Sequence, residues 1–267
     1  MSFDKFVLYF VLPATTILFV ITNRFYYSRK ETTKTRFNIP DDLFVGNILA
    51  SLIVVIGSLG MYAYILNIRI IYEIKWEMLS LVTIAILALI IGLGTGGHIA
   101  ALNIERTLDE TEQSDKLKKV LHFYHWPFGH KLTYVPAFLI VYILILLDLF
   151  RGHFVILNRF ELLILSGFAI IAGLTAWITF VITHVTKLMF FTLAILLGSI
   201  MMILITETIT LMNHQIAYFF TITFTSAWAL LTLYRYSHHV SESVHWFIHS
   251  KFPKGDKIVL KRDGEAD

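Results

Sequence analysis

Stretches of about 20 apolar residues recur along this chain, each the length a helix needs to cross the hydrocarbon core of a bilayer. They lie near 6–22, 44–66, 78–97, 133–150, 161–183, 188–206 and 216–234. Only 15% of the 267 residues are charged and 57% are hydrophobic, whereas a soluble domain carries about 25% charge. The sequence predicts an all-α, polytopic integral membrane protein of the cell membrane, a bundle of seven transmembrane helices. No linker separates domains, so 1–250 reads as one unit and 251–267 as a short charged tail. Pro13 is expected to kink the first span, which neighbouring helices tolerate. The first span lacks a cationic lead and a small-residue cleavage site and reads as retained.

Charge sets the expected orientation. If 23–43, 98–132, 184–187 and 235–267 share one side, they hold all of the 22 Lys and Arg residues except Lys5, Arg69, Lys75, Arg151 and Arg159. Positive loops stay in the cytoplasm, so the N-terminus is expected outside and the C-terminus cytoplasmic. Span interiors are almost free of charge, which argues against ion-coupled transport and voltage sensing. The seventh span has no lysine for a retinal Schiff base. No basic block suits nucleic acid, and with no cysteine there are no disulfides, thiolate ligands or thiol catalysis.

Histidine is the residue that stands out. All but His153 and His214 of the eleven fall on the expected cytoplasmic side, namely His98, His122, His125, His130, His184, His238, His239, His245 and His249. After span seven, "RYSHHVSESVHWFIHSKFPKG" has no proline or glycine before Pro253, so the helix is expected to run on to about residue 250. At about 100° per residue, His238, Glu242, His245 and His249 then share one stripe. Glu242 and His245 have the Glu-x-x-His spacing of di-metal carboxylate bundles. His245 and His249 form an i, i+4 pair able to reach one ion.

Two further segments carry candidate ligands. Span three ends in "IGLGTGGHIAALNIERTLDE", where Gly92, Gly94, Gly96 and Gly97 permit close helix approach just before His98. A continuing helix places His98, Glu105 and Asp109 on one narrow face. In "KLKKVLHFYHWPFGH", Leu117, Val120, Leu121 and Tyr124 mark a short helix lying in the membrane interface. Its aromatics anchor it, while His122 and His125 share one flank. Pro127 and Gly129 then turn the chain into span four. Thr175, Thr179 and Thr183 form a row on span five, expected to pack helices.

Two families resemble parts of this pattern. Membrane fatty-acid desaturases and hydroxylases hold two irons on histidines at the cytoplasmic ends of spans, and this chain is similar in its loop histidines, including His122-x-x-His125 and His238-His239. It lacks a clear His-x-x-His-His box. The seven-span alkaline ceramidases, zinc amidases of membrane lipids, are resembled by the spacing of His98 and Asp109 and by the pair His245 and His249. Gly94 stands where their serine is found, and the terminal pair follows the last span here.

Histidine and carboxylate without thiolate suit zinc, iron or manganese. The first reading is a metal site at the cytoplasmic membrane face of a lipid-modifying enzyme, with membrane lipids as partners and a lipid substrate. A zinc hydrolase would use three of His98, His122, His125, His245 and His249, with Asp109, Glu105 or Glu242 orienting a ligand or moving a proton. A di-iron hydroxylase or desaturase would need nearly all nine histidines, His238 included, and oxygen. The other class is a non-catalytic subunit, sensor or permease whose histidines only decorate the interface.

Overall fold

The structure is a computed structural model that describes residues 3–28, 35–36, 39–40, 74–107, 114–150, 156–237 and 240–244. Phe3–Phe6, Val7–Val11 and Leu12–Ser28 run together as α1, the middle piece a π turn. Then come α2 (Ile74–Thr107), α3 (Asp115–Phe123), a second π segment (Tyr124–His130), α4 (Lys131–Leu149), α5 (Arg159–Ile182), α6 (Thr186–Thr206) and α7 (Gln215–Tyr236). Beyond the helices, Thr35–Arg36 and Ile39–Pro40 form a two-residue antiparallel pair. Among the described residues, five helices are long and apolar enough to cross a membrane, and Val7–Ile21 is a shorter apolar helix. The expected span at 44–66 lies outside the described residues, as do His153 and the tail.

Apolar side chains face both ways, as suits helices apolar enough to cross a bilayer. Leu89, Leu93, Leu163, Ile195 and Ile205 are exposed, while Ile145, Leu165, Met189, Leu193 and Phe224 are wholly buried between helices. α7 is the central element, packed on α5, α4 and α6, while α2 lies on α4 and α1 on α5. α5 and α7 approach closely at Gly173, where an added Cβ would sit 2.7 Å from the Thr223 carbonyl oxygen. Hydroxyls on the spans bond mostly to their own helix: Thr175, Thr179 and Thr183 each donate to the carbonyl four residues back. This satisfies polar groups where water is absent. Interhelical bonds join Ser199 to Tyr142 (2.8 Å) and Ser166 to Tyr218 (2.9 Å).

One end of the bundle is closed by carboxylates. Glu161 and Asn158 form a capping box that starts α5, and the buried Glu161 also takes the Lys5 ammonium and the Tyr9 hydroxyl of α1. At the C-terminal end of α4, the fully buried Asp148 accepts from the backbone N–H groups of Ile216 and Ala217 at 3.0 and 2.9 Å. It thus caps α7 from another helix, a task that the N-cap residue His214 does not perform. The His214 Nδ1 instead donates to the Asp148 carbonyl at 2.6 Å.

α7 does not run on as the sequence suggests. It ends at Tyr236 because Ser237 is extended, at φ −115° and ψ 110°. The Ser237 side chain then accepts from Val240 N at 3.4 Å and its carbonyl from Ser241 N at 3.0 Å, which starts a new helical piece at 240–244. Serine is a favoured N-cap because its oxygen meets an orphan N–H of the first turn. That preference outweighs the lack of proline and glycine.

Candidate metal centre

At the opposite end of the bundle α2, the second π segment and α4 meet without bulk between them. An added Cβ at Gly94 would lie 2.8 Å from the Leu132 Cβ, and one at Gly129 would lie 2.7 Å from the Cβ of His98. Gly97 is in ordinary contact with Phe128, whereas Gly92 and Gly96 have open space. Two of the four glycines before His98 therefore serve the approach, and Gly129 supplies its other side.

The glycines let three imidazoles converge. Ring centroids are 4.8 Å apart for His98 and His125, 4.5 Å for His98 and His130, and 5.9 Å for His125 and His130. His98 and His130 are buried, at 6% and 7% exposure, and one ligand nitrogen from each of the three lies within 4.8 Å of the others. His125 and His130 are five residues apart. On an α-helix that spacing separates side chains by about 140°, whereas the wider turn of a π-helix, bonded i to i+5, brings them to one side. Pro127, which has no N–H to donate, lies within this segment.

Oxygen acceptors fix two of the rings. The His125 Nδ1 donates to Glu105 Oε2 at 3.0 Å, and the His98 Nδ1 donates to the His125 carbonyl at 3.2 Å. A carbonyl and a carboxylate accept, so both rings donate through Nδ1, which would leave Nε2 as the nitrogen able to bind a metal. This is the arrangement that orients histidines on metals, a carboxylate or carbonyl holding the far side of the ring. A tetrahedral ion with bonds of about 2.0–2.1 Å sets its ligand nitrogens roughly 3.3 Å apart, so the trio closes onto one with shifts of about 1.5 Å or less.

Aromatic contacts complete the surround. Trp126 stacks on His125 at 4.6 Å, tilts against His130 at 5.2 Å, and meets His184 edge-on at 5.2 Å. Tyr134 stacks on His130 at 5.9 Å. His184 enters from the turn between α5 and α6, with a left-handed φ of 55°. Its own N–H bonds the Val181 carbonyl and the next N–H bonds that of Phe180, the Schellman pattern that usually places glycine there.

The candidate residues sort accordingly. The structure brings together His98, His125 and Glu105. His122 is exposed on α3 and is not one of the three histidines that converge. Glu242 is exposed on the 240–244 helical piece. Asp109, His238, His245 and His249 lie outside the described residues. His130 and the neighbouring His184 were not among the ligands expected for zinc. The signal for His130 was the proline between two histidines five apart. Comparison with protein-family models, curated proteins and solved structures finds no match to this chain.

Proposed function

We propose that this chain is a multi-pass membrane metalloenzyme whose His98, His125 and His130 hold one zinc ion, and that it hydrolyses a membrane lipid. The observation that carries this reading is the pair of Nδ1 bonds, from His125 to Glu105 and from His98 to the His125 carbonyl. Buried histidines that only fill space have no need of a carboxylate behind one ring and a carbonyl behind the next. Three histidine ligands leave a fourth tetrahedral position for water, the pattern of catalytic rather than structural zinc. Zinc bound there supplies a Lewis acid and a water acidified to near neutrality.

The protein's own residues do the rest. Glu105 keeps His125 in the tautomer that binds and raises its basicity. Tyr134 and Trp126 shield the rings from water. The trio sits where α2 and α4 reach the end of the bundle, within reach of a molecule dissolved in the membrane. The proposal includes seven spans, with the histidine end cytoplasmic, on the strength of the Lys and Arg distribution. A di-iron centre is less well supported, because the described residues supply three converging histidines and one carboxylate behind them.

Metal analysis of the purified full chain tests the reading. About one zinc per chain is expected, falling to background in His98→Ala, His125→Ala and His130→Ala. About two irons would replace the zinc reading with the di-iron one, and metal at background in the parent would return the cluster to a packing role. For orientation, cysteine at Lys119 should be shielded from an impermeant thiol reagent in intact cells while cysteine at Ile156 is labelled. The reverse pattern would invert the topology.

A further inference from the structure

We infer that the outward face of α3 is a docking surface for anionic phospholipid headgroups, placed beside the histidine cluster. α3 is a complete amphipathic unit. Ser114 caps it by accepting from Leu117 N at 3.3 Å, and Leu121, only 4% exposed, pins its inner side. Lys116, Lys118 and Lys119 are all exposed. Val120 and Phe123, each four residues after a lysine, are 45% and 50% exposed. On a helix a residue four positions on stands beside its predecessor, so ammonium and apolar groups alternate on one outer surface.

That mixture identifies the solvent. A face turned to bulk water gains nothing from an exposed valine and phenylalanine, and a face in hydrocarbon cannot hold three ammonium groups. The headgroup layer accepts both, with apolar groups sunk to the acyl boundary and lysine stems reaching up to the phosphates. Asp115 is the one acidic residue of α3, against three lysines. It sits in the first turn, where the helix dipole favours a negative charge. The surplus of positive charge selects anionic over zwitterionic lipid. A protein partner is the weaker occupant, because α3 runs without a break into the π segment and the spanning helix α4. The spanning helix α4 thus tethers it to the end of the bundle.

This inference rests on the membrane reading of the bundle and not on the metal, and the two fail separately. Thermal unfolding of the purified full chain in mild detergent is followed as phosphatidylglycerol, phosphatidylcholine or inorganic phosphate is added. Phosphatidylglycerol should stabilise at far lower mole fraction than phosphatidylcholine. Each Lys→Gln change at 116, 118 or 119 should raise its half-saturating fraction roughly fivefold, from ~1 kcal/mol per basic residue near an anionic surface. The triple Lys→Gln variant should lose roughly a hundredfold, while the triple Lys→Arg variant keeps the preference. At ~1 M salt, where charges are screened within about 3 Å, the preference should vanish. The zinc content of every variant should match the parent. Equal response to the two lipids, a preference unchanged in the Lys→Gln variants, or an equal effect of inorganic phosphate would each overturn the assignment.

Discussion

Replacing Gly129 with alanine tests the fold and the site in one step. The added methyl would stand 2.7 Å from the His98 Cβ and 2.8 Å from the Tyr124 carbonyl oxygen. Ordinary contact begins near 3.4 Å, so the π segment and α2 must part by about 0.7 Å or more, and neither contact is the loose end of a flexible side chain. Overpacking of this kind costs about 1–3 kcal/mol. The same separation stretches the His98 bond to the His125 carbonyl, already 3.2 Å long, past the range of a sound hydrogen bond. Zinc affinity should therefore fall more than global stability does. Gly92→Ala and Gly96→Ala serve as controls, since their added methyl groups meet nothing within 4 Å. Each should be neutral or stabilising by up to about 1 kcal/mol, alanine being the better helix former. Thermal unfolding with chelator, then with zinc restored, reads both effects. If Gly129→Ala matches the controls in both, the close approach that assembles the trio is refuted.

Three other outcomes follow from the same contacts. Glu105→Gln should weaken zinc binding about 10–100-fold in a competition titration, the usual loss when the partner behind a metal-bound histidine is removed. Asp148→Ala leaves the N–H groups of Ile216 and Ala217 buried without their acceptor, which should cost about 2–5 kcal/mol in thermal unfolding, while Asp148→Asn keeps one acceptor and costs less. Thr208 and His184 both end helices with φ near 50°, so Thr208→Gly should stabilise by about 1 kcal/mol. His184→Gly should stabilise less, by the worth of the lost ring contact with Trp126, about 0.5–1.5 kcal/mol.

Five of the expected spans were legible as long apolar helices, because a run of about 20 apolar residues has few other folds open to it. Apolar runs alone placed α6 near 188–206 and α7 near 216–234, against Thr186–Thr206 and Gln215–Tyr236. The short helix α3 was legible from its lysines and leucines, although Val120 and Tyr124, counted with its apolar side, are exposed. Helix phase carried His98 and Glu105 correctly, since α2 stays α-helical to Thr107 and sets both toward the π segment. It did not reach His130, because α-helical phase cannot describe a segment wound i to i+5. It failed at Ser237, where a local cap ended a helix that periodicity alone would have continued.

Buried polar groups gather at both ends of this bundle, and comparing them shows why one end is read as a site. At the carboxylate end the bonds hold helices together and close their termini. Asp148 accepts from the first N–H groups of α7, Glu161 closes a capping box and ties down α1, and His214 donates to a backbone carbonyl. Apart from the tie to α1, each bond answers a need created by a helix terminus, which would otherwise leave orphan groups unsatisfied. At the histidine end the N–H donors of His98 and His125 are held by the His125 carbonyl and by Glu105, while the three rings crowd one another. No helix terminus needs three imidazoles within 4.8 Å. Neutral rings gain little from such crowding, and protonated ones repel. A cation that accepts all three nitrogens turns the crowding into coordination.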